Sequence, residues 1–229
     1  MSPETIRIGN ASGYWGDDLT VLRRQLEGGP LDVISLDFLA EITMSILQKQ
    51  RLRDPRAGYA RDFVDQLDEV LELALDRGTV VISNAGGVAP RACAEAIHAS
   101  AAARGLDPRI GVVAGDDVLA DLPRWREQGI VLKNMEDGRD YAEVEDLATS
   151  ANAYFGAAPV VRALERGAQF VVTGRVTDTG ITLAPMIHRF GWASTDYDQL
   201  AAGIVAGHIL ECGAQSTGGN FTDWRTVPS

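Results

Sequence analysis

Short apolar runs alternate with longer segments of helical periodicity along most of the chain. Compact apolar runs predict strands at residues 5–8, 31–36, 79–83, 110–114, 130–132 and 169–173. Apolar residues at helical spacing predict helices at 19–26 and 60–75. Helices are also predicted at 90–104 and 197–211, with a partly helical stretch at 151–166 and a helix that opens at 115–118 and has a break or kink at Pro123. This alternation indicates an α/β protein with a mostly parallel sheet and helices on both faces, a Rossmann-like three-layer sandwich.

The stretch 169–180 contains the first candidate site. A strand at 169–173 leads directly into a polar loop with a glycine at each end. Ligands of parallel sheets bind at the carboxyl ends of the strands, where the following helix offers unpaired N–H groups. The candidate ligand-binding and catalytic residues of this loop are Gly174, Arg175, Thr177 and Asp178. The alternative is that Thr177 or Asp178 caps the next helix and that Arg175 pairs with a surface carboxylate.

Glycine-containing polar loops follow four of the predicted strands, at residues 9–18, 84–87, 115–117 and 174–180. A parallel sheet brings such loops to one edge, where close backbone approach and helix starts favour a phosphate, a carboxylate or a coenzyme A pyrophosphate. From the second loop, Asn84, Gly86 and Gly87 are candidate ligand-binding residues. No loop has the dinucleotide-binding glycine spacing or a Walker A sequence. Ordinary turns between strand and helix explain any single loop.

Carboxylates are the candidate acid–base groups, because the chain has only three histidines. Two converging carboxylates separate in pKa and so provide an acid beside a base. The carboxylates considered are Asp17, Asp18, Asp37, Asp116, Asp117, Asp178 and Glu211, from which Asp178, Asp18 and Glu211 are selected as catalytic candidates. The nucleophile-elbow pattern of α/β-hydrolases is absent.

His208, Glu211 and Cys212 are spaced so that a helix would place them on one face, a spacing compatible with metal ligation. No second histidine or cysteine cluster completes such a site, and a free cysteine near a helix end is common. We therefore assign no metal.

Composition limits the partners. The 229 residues carry a net charge of -11 with a pI near 4.7, which argues against nucleic acid as a main partner. The sequence shows neither a membrane-spanning segment nor a signal peptide, so we expect a cytoplasmic protein that does not contact membranes. Cys93 and Cys212 are expected to be reduced thiols. With no repeat or linker visible, residues 1–229 are expected to form a single α/β domain.

Four motifs occur in an order that resembles a known family. They are residues 8–18, Asn84-Ala-Gly-Gly87, residues 173–178 and residues 211–224, the last of which contains Asn220 as a further candidate ligand-binding residue. Together they resemble the N-terminal region of the acyclic terpene utilisation protein AtuA family, formerly a domain of unknown function. The resemblance implies a role in the catabolism of acyclic terpenes and branched acids, alongside acyl-CoA carboxylases and hydratases. It also implies that the chain is the N-terminal part of a longer architecture.

These observations lead to one main hypothesis and two alternatives. The main hypothesis is an enzyme of lyase or hydratase type, acting on an acyl-CoA thioester or a small branched carboxylic acid. Loop N–H groups would bind the developing oxyanion, Asp178 or Asp18 would move the proton, and Arg175 would anchor an anionic group. The alternatives are a non-catalytic assembly or regulatory subunit of an acyl-CoA carboxylase-type complex, and a metal-dependent hydrolase that uses Asp and His208. We assign no cofactor, consider a coenzyme A thioester a candidate ligand, and expect a homo- or hetero-oligomer.

Overall fold

A computed structural model describes residues 5–213 and 226. Its described part contains five strands in one all-parallel sheet, in the order β1-β2-β3-β5-β4. The strands are β1 (Ile8–Ser12), β2 (Val33–Leu36), β3 (Val80–Ser83), β4 (Ile110–Val113) and β5 (Phe170–Thr173). The predicted α/β class with a parallel sheet is confirmed.

Helices separate the strands along the chain. They are α1 (Val21–Gly28), α2 (Glu41–Arg53), α3 (Arg61–Arg77), α4 (Pro90–Ala103), α5 (Leu122–Glu127), α6 (Ala158–Glu165), α7 (Gly180–Phe190) and α8 (Tyr197–Glu211), with short 3-10 helices at Leu119–Asp121, Tyr141–Glu143 and Glu145–Leu147. Two glycines end helices in the left-handed conformation that glycine favours, Gly78 after α3 and Gly191 after α7.

The sheet separates two apolar cores, because successive side chains of a strand point to opposite faces. In β5, Phe170 and Val172 pack into a core with side chains of α1, α3 and α4, whereas Val171 packs into a second core with α6 and α7. Strands buried on both faces read as continuous apolar runs, which is why β2, β3 and β5 were recognisable in the sequence.

The neighbouring strands β3 and β5 lead to opposite faces of the sheet. The chain leaves β3 for α4 in the first core and leaves β5 for α7 in the second. Loops that diverge in this way open a crevice at the carboxyl ends of the two strands, which is the usual ligand position in open α/β sheets. The loops at 84–87 and 174–180 both lie at this point.

Several local predictions were wrong. The first strand is Ile8–Ser12 rather than residues 5–8, so Gly9 and Asn10 belong to the strand and not to a turn. Residues 130–132 do not form a strand. Pro123 occupies the first turn of α5, where its missing N–H costs nothing, and therefore starts a helix instead of breaking one. Helix α2 was not predicted.

Both cysteines are free, with Cys93 buried and Cys212 partly exposed. Within the described ranges, no helix has the length and apolar character needed to cross a membrane.

Candidate functional site

Asp37 and Asn84 meet because of the strand register. Leu36 of β2 pairs with Ser83 of β3, so the next residue of each strand lies beside the other. The amide Nδ2 of Asn84 donates to Asp37 Oδ1 at 2.7 Å, and its Oδ1 accepts the N–H of Phe38 at 2.7 Å. The Leu39 N–H also donates to Asp37 Oδ1, at 3.0 Å. This arrangement fixes both side chains at the edge of the sheet.

Asp37 titrates near neutral pH. Burial raises the pKa of its carboxyl group to about 7, the negative charges of Asp178 and Glu211 also raise it, and the N–H groups of Asn84 and Leu39 partly oppose the rise. Both of these N–H groups donate to Oδ1, so the proton of the neutral form resides on Oδ2. The site therefore contains a carboxyl group that can gain or lose a proton at physiological pH.

Arg175 joins the loop after β5 to the loop after β2. Its side chain is almost fully buried, and its Nη1 donates to the Leu39 carbonyl at 3.0 Å. Its Nη2 lies 3.2 Å from Asp178 Oδ1 and 3.5 Å from Glu41 Oε1, and the guanidinium lies over the Tyr154 ring, 4.2 Å from its centre. Arg175 therefore fixes Asp178 in place. Its contact with the exposed carboxylate of Glu41 agrees with the alternative that Arg175 pairs with a surface carboxylate.

Asp116 supports the same loop from the end of β4. Its Oδ2 accepts the backbone N–H of Arg175 at 2.9 Å and the side-chain amide of Asn152 at 2.9 Å. The Asp116 carboxylate lies so close to Gly174 that a Cβ at that position would overlap it. Gly174 is thus explained by this close approach.

The loop after β3 is buried, and the structure uses its glycines for packing. A Cβ on Gly86 would lie 2.5 Å from the carbonyl oxygen of Thr173, so the loops after β3 and β5 touch with no room for a side chain. The N–H of Ala85 donates to Ser83 Oγ at 3.1 Å, and that of Gly87 to the Asn84 carbonyl at 3.1 Å. These two N–H groups are occupied within the protein.

A pocket of about 420 Å³ opens beside Asp178. Its lining contains both apolar side chains and hydroxyl, carboxylate and imidazole groups. It is lined by Tyr154, Gly156, Ala157, Thr177, Asp178, Thr179, Leu183, Ile204 and His208. The Asp178 side chain is about half exposed (49%), so this carboxylate both contacts Arg175 and faces a space that a small molecule can enter.

His208 lines this pocket from α8. Its Nδ1 lies 3.1 Å from the carbonyl oxygen of Ile204. Because a carbonyl can only accept, Nδ1 carries the hydrogen and Nε2 of the neutral ring is left as an acceptor. His208, Glu211 and Cys212 do not form a metal site: the described residues contain no group of three His, Cys, Asp or Glu side chains that could hold a metal ion.

Cys212 makes its contact with the neighbouring carboxylate. Its thiol donates to Glu211 Oε1 at 3.1 Å, and this hydrogen bond is the main reason why its pKa is raised to about 11. The thiol is therefore protonated at neutral pH and is a poor nucleophile.

Of the remaining candidates, Asp18 lies apart from this cluster. Asp18 accepts the N–H of Thr20 at 2.9 Å and pairs with Arg24 at 2.7 Å, contacts that hold the start of α1 on the surface. The structure does not join it to Asp178. Glu211 acts on the cluster through its charge, and its backbone carbonyl accepts from Asn10. Asn220 lies outside the described residues.

Asp37 is one of the seven carboxylates considered from the sequence, but it is not one of the three selected as catalytic candidates. The available signal was its position directly after the short, mostly apolar strand β2, which predicts burial and hence a raised pKa. Asp178, which was selected as a catalytic candidate, contacts Arg175 and lines the pocket. Whether it acts in catalysis stays a prediction. Nothing in the sequence around Tyr154 indicated that its ring would cover Arg175.

Comparison with known proteins identifies the family. The model of the acyclic terpene utilisation family protein AtuA matches residues 6–229. The chain therefore belongs to this family, as the four motifs predicted. No curated protein and no solved structure matches the chain.

Proposed function

We propose that this AtuA family member is an enzyme, or the main part of one, of acyclic terpene and branched-acid catabolism. Its substrate is an acyl-CoA thioester or a small branched carboxylic acid, and its chemistry is of lyase or hydratase type. The observation that carries the proposal is the pair of unequal carboxyl groups at the crevice. Asp37 is buried with a pKa raised to about 7, and Asp178 is held by Arg175 beside a pocket.

The two carboxyl groups complement each other in a hydration. Asp178 takes a proton from water while the water oxygen bonds to one carbon of the substrate double bond. The other carbon takes a proton that Asp37 supplies through an intervening water, since Asp37 is buried and does not itself line the pocket. A proton then returns from Asp178 to Asp37, so the enzyme is restored and the net reaction is the addition of water. The reverse sequence removes water. Because Asp37 titrates near neutral pH, it can act in either direction.

Arg175 positions Asp178 in this proposal. Its Nη atoms are already engaged by Leu39, Asp178 and Glu41, and its side chain is almost fully buried. Its Nε is buried and has no hydrogen-bond partner among the described residues, so an anionic substrate group could use this donor only by entering the buried interior. Holding Asp178 is the role that the described contacts of Arg175 support, and the anchoring of an anionic group, expected from the sequence, stays a prediction.

Ligand binding provides the first test. Mass spectrometry of molecules that co-purify with the protein is followed by a thermal-shift screen of acyl-CoA thioesters and branched acids, in which binding raises the Tm by mass action. The compound that binds is then used to assay turnover. We expect Asp178→Asn to lower kcat by at least about a hundredfold, the usual contribution of general acid–base catalysis. Asp198→Asn, at an exposed position in the first turn of α8, is the matched control and should leave kcat unchanged. If no thioester or acid raises the Tm, the proposal fails.

The non-catalytic alternative is favoured by one observation, namely apolar side chains on exposed helix faces. On α8, Val205 is 61% and Ile209 is 60% exposed, and on α2, Ile42 is 70% exposed. Such residues are available for contact with a partner subunit of the carboxylase type. In that case Val205→Asp with Ile209→Asp would abolish a complex formed on co-expression, and Asp178→Asn would leave the turnover of that complex unchanged.

A further inference from the structure

We propose that the pocket beside Asp178 holds the hydrocarbon part of the substrate, and that Ile204 limits the length of the chain that enters. This inference rests on the proposed function, since it assigns one part of the substrate to one part of the same site. It adds a residue that determines specificity and that makes no chemical contribution.

The position of Ile204 follows from the glycines of α8. A Cβ on Gly203 would lie 2.6 Å from Leu183 Cδ1, and one on Gly207 would lie 2.9 Å from Thr179 Cβ. At Gly207 the neighbour is the Cβ of a buried threonine, so α8 can approach the Thr179 region this closely only with glycine there, whereas at Gly203 the neighbour is the flexible end of the Leu183 side chain. Ile204 and His208 each follow one of the glycines and line the pocket.

The lining suits a short hydrocarbon chain with a polar head. Ala157, Leu183 and Ile204 supply apolar surface, and Thr177 and Asp178 supply polar groups in the same pocket. A ligand with an apolar tail can therefore remove that tail from water while its reacting carbons stay near the carboxylate.

The size of the pocket limits which part of a thioester substrate it can hold. Its volume of about 420 Å³ is near the lower end of the range for small-molecule pockets, about 300–1,000 Å³. It is large enough for a branched acyl chain but not for an acyl chain and the nucleotide of coenzyme A together. The nucleotide of a thioester substrate would accordingly lie outside the pocket.

Ile204 allows a clean test, because its side chain is 39% exposed and can be enlarged without disturbing a core. Ile204→Trp reduces the pocket, and Ile204→Ala enlarges it. Gln199→Trp is the matched control: it introduces the same side chain at another exposed position of the same helix, one that does not line the pocket. Thermal unfolding verifies that each variant is folded.

Binding of acetyl-CoA, isovaleryl-CoA and geranoyl-CoA to each variant is measured by calorimetry. We expect Ile204→Trp to weaken geranoyl-CoA about tenfold or more, as overpacking does, and to leave acetyl-CoA within about twofold. Ile204→Ala should improve the relative affinity for geranoyl-CoA, and Gln199→Trp should match the wild type. If thioesters bind but Ile204→Trp leaves their chain-length preference unchanged, this inference is overturned and the proposed function stands. If none of the thioesters or the corresponding free acids binds, both fall.

Discussion

At the scale of single residues, the proton on Asp37 couples the site to stability. Folding moves the carboxyl group from water into a buried position, where its pKa rises from 3.8 to about 7. Between these two values the folded protein binds a proton that the unfolded chain does not bind. The free energy of unfolding contributed by this group is therefore fully present below pH 3.8 and is lost as the pH rises to about 7.

Asp37→Asn isolates this effect. Asparagine retains an oxygen that accepts from Asn84 and Leu39, and its amide N–H takes the place of the acid O–H, so the variant resembles the protonated form at every pH. We predict that the free energy of unfolding of the wild type, relative to the variant, falls by on the order of 4 kcal/mol between pH 4 and pH 7, at about 1.4 kcal/mol per pKa unit. Urea denaturation across this pH range measures it. A difference that is independent of pH would contradict the burial argument.

The hydrogen bond from Asn84 lowers the pKa of Asp37. Its Nδ2 favours the charged form of Asp37, so Asn84→Ala should raise the pKa of Asp37 and move the pH dependence of stability to higher pH. The variant also leaves the buried N–H of Phe38 without its acceptor, which costs about 1–3 kcal/mol.

Ser83→Ala is the matched control for Asn84→Ala. Ser83 is buried one residue earlier and hydrogen-bonds to the Leu36 carbonyl and the Ala85 N–H, but makes no hydrogen bond with the Asp37 side chain. It should lower the free energy of unfolding without moving the pH dependence. An equal shift in both variants would show that general loosening of the loop, and not the amide of Asn84, sets the pKa.

At the scale of elements, the packing of α8 on α7 depends on glycine. Gly207→Ala favours the helix by about 1 kcal/mol in intrinsic propensity. The added methyl group would, however, lie 2.9 Å from Thr179 Cβ and 2.8 Å from Thr182 Oγ1. We predict that the clash dominates and that the free energy of unfolding falls by about 1–3 kcal/mol.

Gly28→Ala provides the comparison for this change. Gly28 is the last residue of α1, and a Cβ there would meet nothing within 4 Å. The same substitution should therefore be neutral or slightly stabilising. Thermal and chemical denaturation of the two variants separate helix propensity from packing. If Gly207→Ala were as stable as Gly28→Ala, α8 would not be packed on Thr179 and Thr182 as described.

The elements show how far the sequence could lead. Strands β2, β3 and β5 were predicted because each contains a short, mostly apolar run, and helix α3 was predicted because its apolar residues form a regular stripe. Helix α8 was also predicted, although its apolar residues form no one-sided stripe. Helix α2 was missed because only Thr43, Met44 and Leu47 of its thirteen residues are buried, so its sequence lacks a clear stripe. The first strand was misplaced because its last residues are buried but polar, among them Asn10 and Ser12.

The site was less predictable than the elements, for a topological reason. Asp37 and Asn84 are separated by 47 residues and touch only because Leu36 pairs with Ser83. Arg175 meets Asp116 only because β5 lies beside β4. Local patterns identify polar groups at strand ends, but they do not contain the strand order. The sequence could therefore indicate which polar residues lie at strand ends, but not which of them contact each other.

At the scale of the whole molecule, the net charge of -11 affects the capture of an anionic substrate. Coenzyme A carries several negative charges on its phosphates, so the protein as a whole repels a thioester. The one arginine-rich segment, residues 49–56, is partly neutralised within the protein. Arg56 lies 3.3 Å from Asp54 Oδ1, and Arg51 lies 3.6 Å from Asp117 Oδ2.

Salt should accordingly accelerate the association of a thioester. Raising the ionic strength from about 0.01 to 0.1 M shortens the screening length from about 30 to about 10 Å, which reduces long-range repulsion more than short-range contacts in the pocket. We predict that the association rate constant of isovaleryl-CoA, measured by stopped flow, increases across this range. That of free isovalerate, with a single charge, should increase much less. A rate constant for the thioester that decreases with salt would contradict this prediction, since it would show attraction by a local basic surface such as residues 49–56. Charge reversal at the exposed Arg53 would then identify that surface by removing the salt dependence.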